Sequence, residues 1–361
     1  MLKIGITGYN GFLAFNLRLR IKAELDNYQL FNVDLRENSW DDINNLDILF
    51  HFAGVNRTNG DIVKENLIIT NKLLLFLDST KVSKLCFSNS TQIYLDNEYS
   101  KSKKDNSKIL KDYCSKSSVQ FFNAILPNLY GPFGKENYNS FINTFIFNIK
   151  NNIKSSVNKN SKVKLIDVDS VSKALLKNVI YSINGKEILF DETKEYLVLD
   201  VYNRIKNIIT KYQNGYFPKL SDKMDTILYN SYICSFNAPV VSLLTTHNDN
   251  RGSFCELSRT LTRGQFSIST TKHNIVRGNH FHLNKPERFI YYSGSLEIKL
   301  RKLFSNDIII LYYEDDIPRT IDIPIGFTHN LRNIGNTDLI MYFFTPDFFN
   351  PENPDTYPHE V

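Results

Sequence analysis

The chain is poor in cysteine, which argues against a fold held together by disulfide bonds. Only four of its 361 residues are cysteines, none of them in a CxxC pair: Cys86, Cys114, Cys234 and Cys255. Their wide spacing resembles no disulfide framework. Free thiols in a reducing cytoplasm are therefore expected.

Long apolar runs and a strong charge of one sign are also lacking. No run of about 18 apolar residues occurs, so no membrane span is expected. The opening MLKIGITG has the pattern of a strand and its turn, which leaves no room for a signal peptide. The 43 basic and 38 acidic residues give a net charge of only +5 and are scattered, so nucleic-acid binding is not indicated. A soluble, cytoplasmic protein is expected.

Enough apolar sequence is present for two domains. The apolar fraction is 42%, and 361 residues exceed one ordinary core. In the first half, short apolar runs alternate with helical periods, which predicts a doubly wound parallel sheet of the Rossmann type. From about Pro239, short strands separated by Gly, Pro and Asn turns predict an all-β sandwich or barrel. We expect an α/β domain over residues 1–240 and an all-β domain over residues 241–361.

A glycine-containing turn follows the first predicted strand. Gly8 would allow the tight turn, and Gly11 would let the backbone approach a pyrophosphate at the helix N-terminus, where free N–H groups favour anions. At the first junction between strand and helix, this pattern predicts dinucleotide binding rather than an ordinary turn. The residues expected to contact the dinucleotide here are Gly8, Asn10, Gly11, Phe12 and Leu13.

Small residues also follow a later predicted strand, in the segment His51-Phe52-Ala53-Gly54. Small side chains there would let the chain pass close to the nucleotide. Phe52, Ala53 and Gly54 are therefore added to the expected cofactor contacts.

A serine and a YxxxK motif predict a site of proton transfer. Tyr99 and Lys103 lie one helical turn apart and share a face, so the ammonium is expected to lower the pKa of the phenol. Ser90 can hydrogen-bond a carbonyl whose oxygen gains charge as hydride arrives. We expect Ser90, Tyr99 and Lys103 to be catalytic, with Lys103 also touching the cofactor. The plain alternative is an exposed Tyr–Lys pair.

The end of the second predicted strand carries opposing signals about the cofactor. Asp34 stands where an acid would hydrogen-bond a ribose 2′-OH and repel a 2′-phosphate, which favours NADH. Arg36 could receive that phosphate, which favours NADPH. An ordinary surface turn would also place an acid here, so the choice between NADPH and NADH stays open.

The last third of the chain contains a possible set of metal ligands. His280 and His282 lie one residue apart on a predicted strand and point to the same face. Glu287 follows, and His329 comes from a distant strand. Imidazole and carboxylate together suit a first-row divalent metal, and zinc is expected. The alternative is a polar interior satisfied by water.

Two groups of motifs resemble known families. The order TGxxGF, HxAG, Ser, YxxxK and Pro127–Pro132 resembles the extended short-chain dehydrogenase/reductases, which act on nucleotide sugars. The segments His280–Gly294 and Pro324–Asn333 match the two cupin motifs, which implies a cupin β-barrel.

Together, the two halves resemble the CapF family of bifunctional capsular polysaccharide enzymes, which join such a reductase to a cupin. The resemblance is carried further by His51–Arg57, by Pro127–Gly131 with Asn137–Ser140, and by the tail Asn350–Tyr357. It implies NADPH as the cofactor and a UDP-linked 4-keto-6-deoxy-N-acetylhexosamine as the substrate. In the first domain, Arg57 and Asn128 are the implied substrate contacts. The segment Asn250–Glu256 resembles the start of the deoxysugar 3- or 3,5-epimerase cupins, which implies Arg251 and Glu256 as further substrate contacts, although a turn leading into a strand would also explain it.

The implied function is C3 epimerisation of UDP-2-acetamido-2,6-dideoxy-4-keto-hexose in the cupin, followed by reduction of the C4 ketone. One alternative is a single-activity nucleotide-sugar 4-reductase whose cupin only binds sugar or dimerises. Another is a non-catalytic nucleotide sensor, against which the intact Ser90, Tyr99 and Lys103 count. The epimerase base is not identified. A homodimer is the default expectation for the assembly.

Overall fold

The computed structural model describes most of the chain: residues 1–37, 39–243, 246–249, 252–255, 259–260, 265–315, 317–346, 350 and 352–361. For 246–249, 252–255, 259–260 and 265–268 only the backbone is described. The chain forms two compact units: Met1–Phe141 with Asn158–Val198, and Ile142–Val157 with Leu199–Val361. The described helices are α1 Phe12–Glu24, α2 Ile62–Ser79, α3 Glu98–Ser117, α4 Phe141–Lys150, α5 Val168–Tyr181, α6 Val198–Gln213 and α7 Lys223–Cys234.

The first unit is built on a six-stranded parallel sheet. Its strand order is β2-β1-β3-β4-β5-β8, and a smaller three-stranded sheet has the order β6-β7-β9. The strands are β1 Leu2–Thr7, β2 Tyr28–Asn32, β3 Asn45–His51, β4 Lys81–Ser90, β5 Gln120–Leu126, β6 Asn128–Tyr130, β7 Lys162–Asp167, β8 Glu187–Ile188 and β9 Lys194–Leu197. The predicted doubly wound parallel sheet is confirmed.

Alternating burial explains why helices cover both faces of this sheet. Ile4 and Ile6 of β1 pack into one apolar cluster with α1 and α5, whereas Leu46 and Leu49 of β3 pack into another with α2 and α3. Side chains of a strand alternate between faces, so a strand rich in apolar residues must be covered on both sides. The carboxyl ends of the strands stay free for the loops that carry the motifs.

The second unit contains two five-stranded antiparallel sheets, of order β11-β20-β17-β22-β15 and β19-β18-β21-β16-β23. The strands of this unit are β10 Tyr216–Phe217, β11 Val240–Leu243, β12 Thr246–Asp249, β13 Gly252–Cys255, β14 Arg259–Thr260, β15 Gln265–Thr271, β16 Val276–Phe281, β17 Glu287–Ser293, β18 Leu296–Lys302, β19 Ile308–Tyr313, β20 Arg319–Ile323, β21 Phe327–Asn333, β22 Leu339–Thr345 and β23 Tyr357–Pro358.

The two five-stranded sheets share one apolar core. Phe289 of β17 and Ile321 of β20 lie in the same cluster as Ile298 of β18 and Leu331 of β21. The predicted all-β domain is confirmed, and the cupin barrel stays a prediction: within the described residues, hydrogen bonding divides the strands into two five-stranded and two two-stranded sheets rather than one closed ring.

Helix α6 is attached to one of these sheets by a buried polar network. Arg288 and Asp322 are cross-strand neighbours, and the guanidinium donates to both carboxylate oxygens at 2.6 and 3.0 Å. The hydroxyl of Tyr212 on α6 donates to the same carboxylate. A buried charge is tolerated only when it is paired and hydrogen-bonded, and this arrangement supplies both requirements.

Helix α6 and the extent of the second unit were not predicted from the sequence. Helix α6 was not predicted, although Val201, Ile205, Ile208 and Ile209 are buried at helical spacing. The second unit also includes Ile142–Val157 and Leu199–Val240, and the boundary at 240/241 between the two domain types stays a prediction. None of the described helices has the length and apolarity to cross a bilayer.

Candidate functional site

The turn after β1 has the geometry expected of an anion-binding loop. Gly8 has φ +64°, and a Cβ added there would lie 2.9 Å from the backbone nitrogen of Ala53. Gly11 is the N-cap residue of α1 and provides no side-chain cap. Its N–H donates to the carbonyl of Gly8 at 2.8 Å, and a Cβ added to Gly11 would lie 2.9 Å from that carbonyl oxygen. Both glycines are therefore required sterically, and the uncapped helix N-terminus presents backbone N–H groups to a ligand.

A threonine joins this turn to the segment after β3. Both lone pairs of the Thr7 hydroxyl accept hydrogen bonds, from the N–H groups of Phe52 (3.1 Å) and Ala53 (3.0 Å). Its single proton must then donate to Nδ1 of His51, 2.8 Å away. The buried imidazole is thus neutral with its proton on Nε2, and burial followed by the charge of Lys103 lowers its pKa to about 3.

Lys103 is buried against the same segment. Its ammonium donates to the carbonyl of Ser88 at 2.9 Å, and the Ser88 hydroxyl donates to the carbonyl of His51 at 3.1 Å. A Cβ on Gly54 would come within 3.7 Å of the Lys103 nitrogen. Burial lowers the pKa of Lys103 to about 8, so its charge is lost closer to neutrality than that of an exposed lysine.

Tyr99 is half-buried, and its hydroxyl donates to Oδ1 of Asn56 at 3.3 Å. Burial raises the pKa of the phenol, and the hydrogen bond with Ser90 only partly opposes this. The expectation that Lys103 lowers this pKa was wrong, because its ammonium lies 6.0 Å from the centre of the Tyr99 ring and is bound to a carbonyl. Tyr99 is therefore a protonated phenol around neutral pH, which is the form that donates a proton.

The predicted catalytic residues come together, and the structure adds partners that the sequence reasoning missed. Asn56 stands five residues after His51, inside the segment His51–Arg57 that carries the family resemblance, so its position was a usable signal. Ser90 accepts from the N–H of Gln92 at 3.1 Å and begins a short 3-10 helix, Thr91–Tyr94. The catalytic and cofactor-binding roles themselves stay predictions.

The predicted substrate contacts are Arg57, Asn128, Arg251 and Glu256. Arg57 is exposed, and Asn128 donates to the carbonyl of Lys164 at 3.2 Å. Arg251 and Glu256 lie outside the described residues.

Asp34 and Arg36 form an ion pair with each other. The Arg36 guanidinium donates to the carboxylate at 2.5 to 3.1 Å, and the Arg36 N–H donates at 3.0 Å. These hydrogen bonds hold the pKa of Asp34 below its usual range and raise that of Arg36. The carboxylate is thereby partly neutralised, while most of the Arg36 side chain stays exposed at 90%.

The second unit brings its predicted ligands together from both of its sheets. His280 is the penultimate residue of β16, His282 directly follows this strand, Glu287 begins β17, and His329 lies on β21. One donor atom from each of the four lies within 4.8 Å of the others. Oε2 of Glu287 is 3.2 Å from Nε2 of His282 and 3.1 Å from Nε2 of His329.

The protonation pattern of this cluster fits a cation. The Nδ1 atom of His282 lies 2.5 Å from the carbonyl of Asp355, so it carries the proton and leaves Nε2 bare. Nε2 of His282 and of His329 are buried and have no hydrogen-bond partner among the residues that the structure describes. Burial, then the nearby His329 and His282, lowers the pKa of His280 to about 4. Bare nitrogens facing a buried carboxylate repel unless a positive charge lies among them, so the residues fit a divalent metal.

The carboxylate of this cluster is held ionised. Burial alone would raise the pKa of Glu287, but the neighbouring His282 and His329 outweigh burial and hold it well below its usual range. An ionised carboxylate is the form that binds metal.

Comparisons with known proteins agree with this division of chemistry. Residues 5–180 match the model of the NAD dependent epimerase/dehydratase family, which supports a nicotinamide cofactor in the first unit. Residues 247–357 match the model of the polysaccharide biosynthesis C-terminal domain.

Individual relatives cover the chain to different extents. The chain is 26% identical over 375 residues to UDP-2-acetamido-2,6-beta-L-arabino-hexul-4-ose reductase of Pseudomonas aeruginosa, covering 99% of this chain and 98% of that protein. It is 29% identical over 125 residues to the spore coat polysaccharide biosynthesis protein SpsL of Bacillus subtilis, covering 32% of this chain and 83% of that protein. The solved structure of the capsular polysaccharide assembling protein CapF from Staphylococcus aureus matches with a TM-score of 0.58 and 28% identity, covering 100% of both chains.

Proposed function

We propose, from the premise that this chain resembles CapF along its whole length, that it is a bifunctional nucleotide-sugar enzyme of polysaccharide precursor synthesis. It epimerises C3 of UDP-2-acetamido-2,6-dideoxy-4-keto-hexose in the second unit and reduces the C4 ketone in the first. The product is UDP-2-acetamido-2,6-dideoxy-L-talose, on the route to UDP-N-acetyl-L-fucosamine. The observation that carries the proposal is the presence of a Ser–Tyr–Lys set and a three-His, one-Glu set on one chain.

In the reduction, a bound nicotinamide supplies the hydride. Tyr99 donates its phenolic proton to the ketone oxygen, for which its raised pKa is suitable. Ser90 hydrogen-bonds the same oxygen as its negative charge develops. The Lys103 ammonium lies too far from the phenol to lower its pKa and is assigned to holding the cofactor. The site is restored when Tyr99 takes a proton from solvent.

In the epimerisation, the C4 ketone makes the C3 proton removable because the resulting anion spreads onto the ketone oxygen. A divalent metal, zinc in our proposal, would be held by His280, His282, Glu287 and His329 and would supply positive charge near that oxygen. Reprotonation from the opposite face inverts C3. Reduction removes the ketone and ends this acidity, so epimerisation comes first.

The base that removes the C3 proton is not assigned. The candidates are His282, His329 and the tyrosines and glutamates of the second unit. A nitrogen that binds a metal is not free to accept a proton, which counts against both histidines.

We propose NADPH as the preferred cofactor, with NADH as an alternative. Arg36 partly neutralises Asp34 and keeps an exposed guanidinium at the end of β2, which supports binding of a 2′-phosphate. Cys86, Cys114 and Cys234 are buried free thiols, which is compatible with our expectation of a cytoplasmic enzyme. A homodimer stays our expectation for the assembly.

A single-activity 4-reductase with a cupin that binds sugar or dimerises is the second candidate. The specific observation in its favour is the name of the Pseudomonas aeruginosa relative, which mentions a reductase alone.

The test is to add UDP-2-acetamido-2,6-dideoxy-4-keto-hexose to the enzyme in deuterated water, with NADPH and NADH in parallel. We expect oxidation of NADPH and a product with deuterium at C3. Oxidation without deuterium would favour the single-activity reductase. If neither cofactor were oxidised, the proposed substrate would be wrong.

A further inference from the structure

The end of the chain returns to the ligand cluster of the second unit. Residues 352–361, here called the C-terminal segment, include strand β23, which pairs with β16 so that Pro358 lies opposite His280 and Tyr357 opposite Phe281. The rings of Tyr357 and Phe281 stack with their centres 5.4 Å apart. The segment therefore forms an ordered strand beside the ligand-bearing strand.

One residue of this segment holds the backbone that follows β16. The two carboxylate oxygens of Asp355 accept the N–H groups of Leu283 at 3.1 Å and Asn284 at 2.8 Å. The main-chain carbonyl of Asp355 accepts Nδ1–H of His282. Asp355 has φ +46°, a left-handed conformation that aspartate tolerates better than most residues. The side chain and the carbonyl of Asp355 therefore both accept hydrogen bonds from residues 282–284.

Other residues of the C-terminal segment also form hydrogen bonds near the ligand cluster. Lys285 donates to the carbonyl of Pro354 at 3.1 Å. His359 donates its N–H to the carbonyl of Asn279 at 2.8 Å, and its carbonyl accepts the hydroxyl of Thr328, next to the ligand His329. The segment therefore contacts residues beside three of the four ligands.

His282 depends on this segment more than His329 depends on any comparable partner. Nδ1 of His282 lies 2.5 Å from the Asp355 carbonyl, whereas Nδ1 of His329 lies 3.4 Å from the carbonyl of Phe327, on its own strand. The partner of a histidine's second nitrogen sets its tautomer and ring orientation, and losing such a partner typically weakens metal binding by about 10- to 100-fold.

We propose that Asp355 is a positioning residue for the metal centre: its carboxylate holds the C-terminal segment in place so that its carbonyl keeps His282 in the Nδ1–H tautomer with Nε2 directed at the ligand cluster. This inference rests on the proposed metal site but not on epimerisation.

The experiment measures zinc affinity of the purified full-length protein by competition with a chromophoric chelator. We expect Asp355→Ala to bind zinc about 10- to 100-fold more weakly than the unmodified protein. Glu352→Ala is the matched control, because it removes an exposed carboxylate from the same segment and should leave the affinity unchanged. Asp355→Asn keeps one oxygen acceptor and a residue type that tolerates left-handed φ, so its zinc affinity should lie between those of Asp355→Ala and Glu352→Ala. It replaces Asp355→Ala as the test variant if Asp355→Ala does not fold.

A second readout separates positioning from general stability. In metal-free protein labelled with ¹⁵N-histidine, the ring nitrogens of His282, assigned with a His282→Gln variant, should report the Nδ1–H tautomer. Asp355→Ala should shift them toward a mixture of tautomers, while the signals of His273 stay unchanged.

The outcomes distinguish the two proposals. If the unmodified protein binds no zinc, the proposed metal site fails and this inference falls with it. If the unmodified protein and the Asp355 variants bind zinc equally well, the metal site stands and the inference is overturned. An unchanged His282 tautomer in those variants would also overturn it.

Discussion

At the scale of single residues, burial decides the chemistry of the reductase site more than neighbouring charge does. Burial raises the pKa of Tyr99 and lowers that of Lys103 to about 8. The first shift keeps a phenol available as a proton donor, and the second brings the lysine's titration near neutral pH. Both shifts follow from the cost of holding a charge away from water.

The Lys103 shift predicts how activity depends on pH. Because the reduction uses the ammonium form, kcat/KM for ketone reduction should fall about tenfold per pH unit once the pH is well above 8. Lys103→Arg should remove this decline within its residual activity, because arginine keeps its charge, whereas the exposed Lys104→Arg should keep it. A rate that stays level to pH 9.5 in the unmodified enzyme would contradict the assignment.

The lowered pKa of Lys103 also makes the free energy of unfolding depend on pH. Between pH 8 and the ordinary lysine value of 10.5, the unfolded chain holds the proton that folded Lys103 has released. The contribution of this residue to the free energy of unfolding therefore increases as the pH rises through that window.

The Asp34–Arg36 pair predicts cofactor preference. Arg36→Ala should weaken NADPH binding several-fold and leave NADH binding almost unchanged, because only NADPH carries a 2′-phosphate for the guanidinium. Asp34→Asn should improve NADPH binding by removing a negative charge. Titration of both cofactors measures the two effects, with the exposed neighbour Glu37→Gln as the control. Equal losses for NADPH and NADH in Arg36→Ala would show that Arg36 does not recognise the phosphate.

At the scale of elements, the ends of helices and strands carry the function. Asp61 is the N-cap residue of α2, and its carboxylate accepts the N–H groups of Val63 and Lys64, whereas Gly11, the N-cap residue of α1, provides no such cap. The N-terminus of α2 is satisfied by the Asp61 side chain, whereas the N–H groups at the N-terminus of α1 remain available to an anion.

The glycine turn gives a prediction at this scale. Gly8→Ala forces a Cβ into a left-handed residue, at a cost of about 1–2 kcal/mol, and also pushes it against the backbone at Ala53. Gly215→Ala is the matched control, since Gly215 has φ +79° and no atom of the described part of the chain lies within 4 Å of the added Cβ. Thermal unfolding should show both variants destabilised, while only Gly8→Ala should lose NADPH binding. Normal cofactor affinity in Gly8→Ala would remove the turn from the cofactor site.

At the scale of the whole molecule, the two candidate sites lie in separate compact units, each with its own core. Each site takes its residues from its own unit. The two activities should therefore be separable by mutation.

This separation can be tested with two variants. Tyr99→Phe should lose ketone reduction by about 10²- to 10⁴-fold, because the proton donor is gone, yet should still exchange the C3 proton with deuterated water. Glu287→Gln should lose the exchange. Mass spectrometry of the sugar nucleotide and absorbance of NADPH measure the two steps, and the unfolding temperature of each variant serves as the check on folding. Loss of C3 exchange in a folded Tyr99→Phe protein would mean that one site performs both steps.

Much of the architecture follows from local patterns. The apolar runs and helical periods predicted β1 at Leu2–Thr7, α2 at Ile62–Ser79 and β19 at Ile308–Tyr313 with the bounds that the structure has. Strand β21 was recognised only through its motif. Its polar Thr328 and His329 are buried, so it lacks the apolar character that marks a strand in the sequence.

The sequence by itself determined the two classes of domain and the residue types of both sites, because periodicity, turn glycines and motif spacing are local properties of a chain. Only the tertiary structure decided that burial raises rather than lowers the pKa of Tyr99, and that Asn56 is its hydrogen-bond partner. It alone placed the carbonyl of Asp355 against Nδ1 of His282. Desolvation and contacts between residues more than 40 or 70 positions apart exist only after the chain has folded, so no local pattern encodes them.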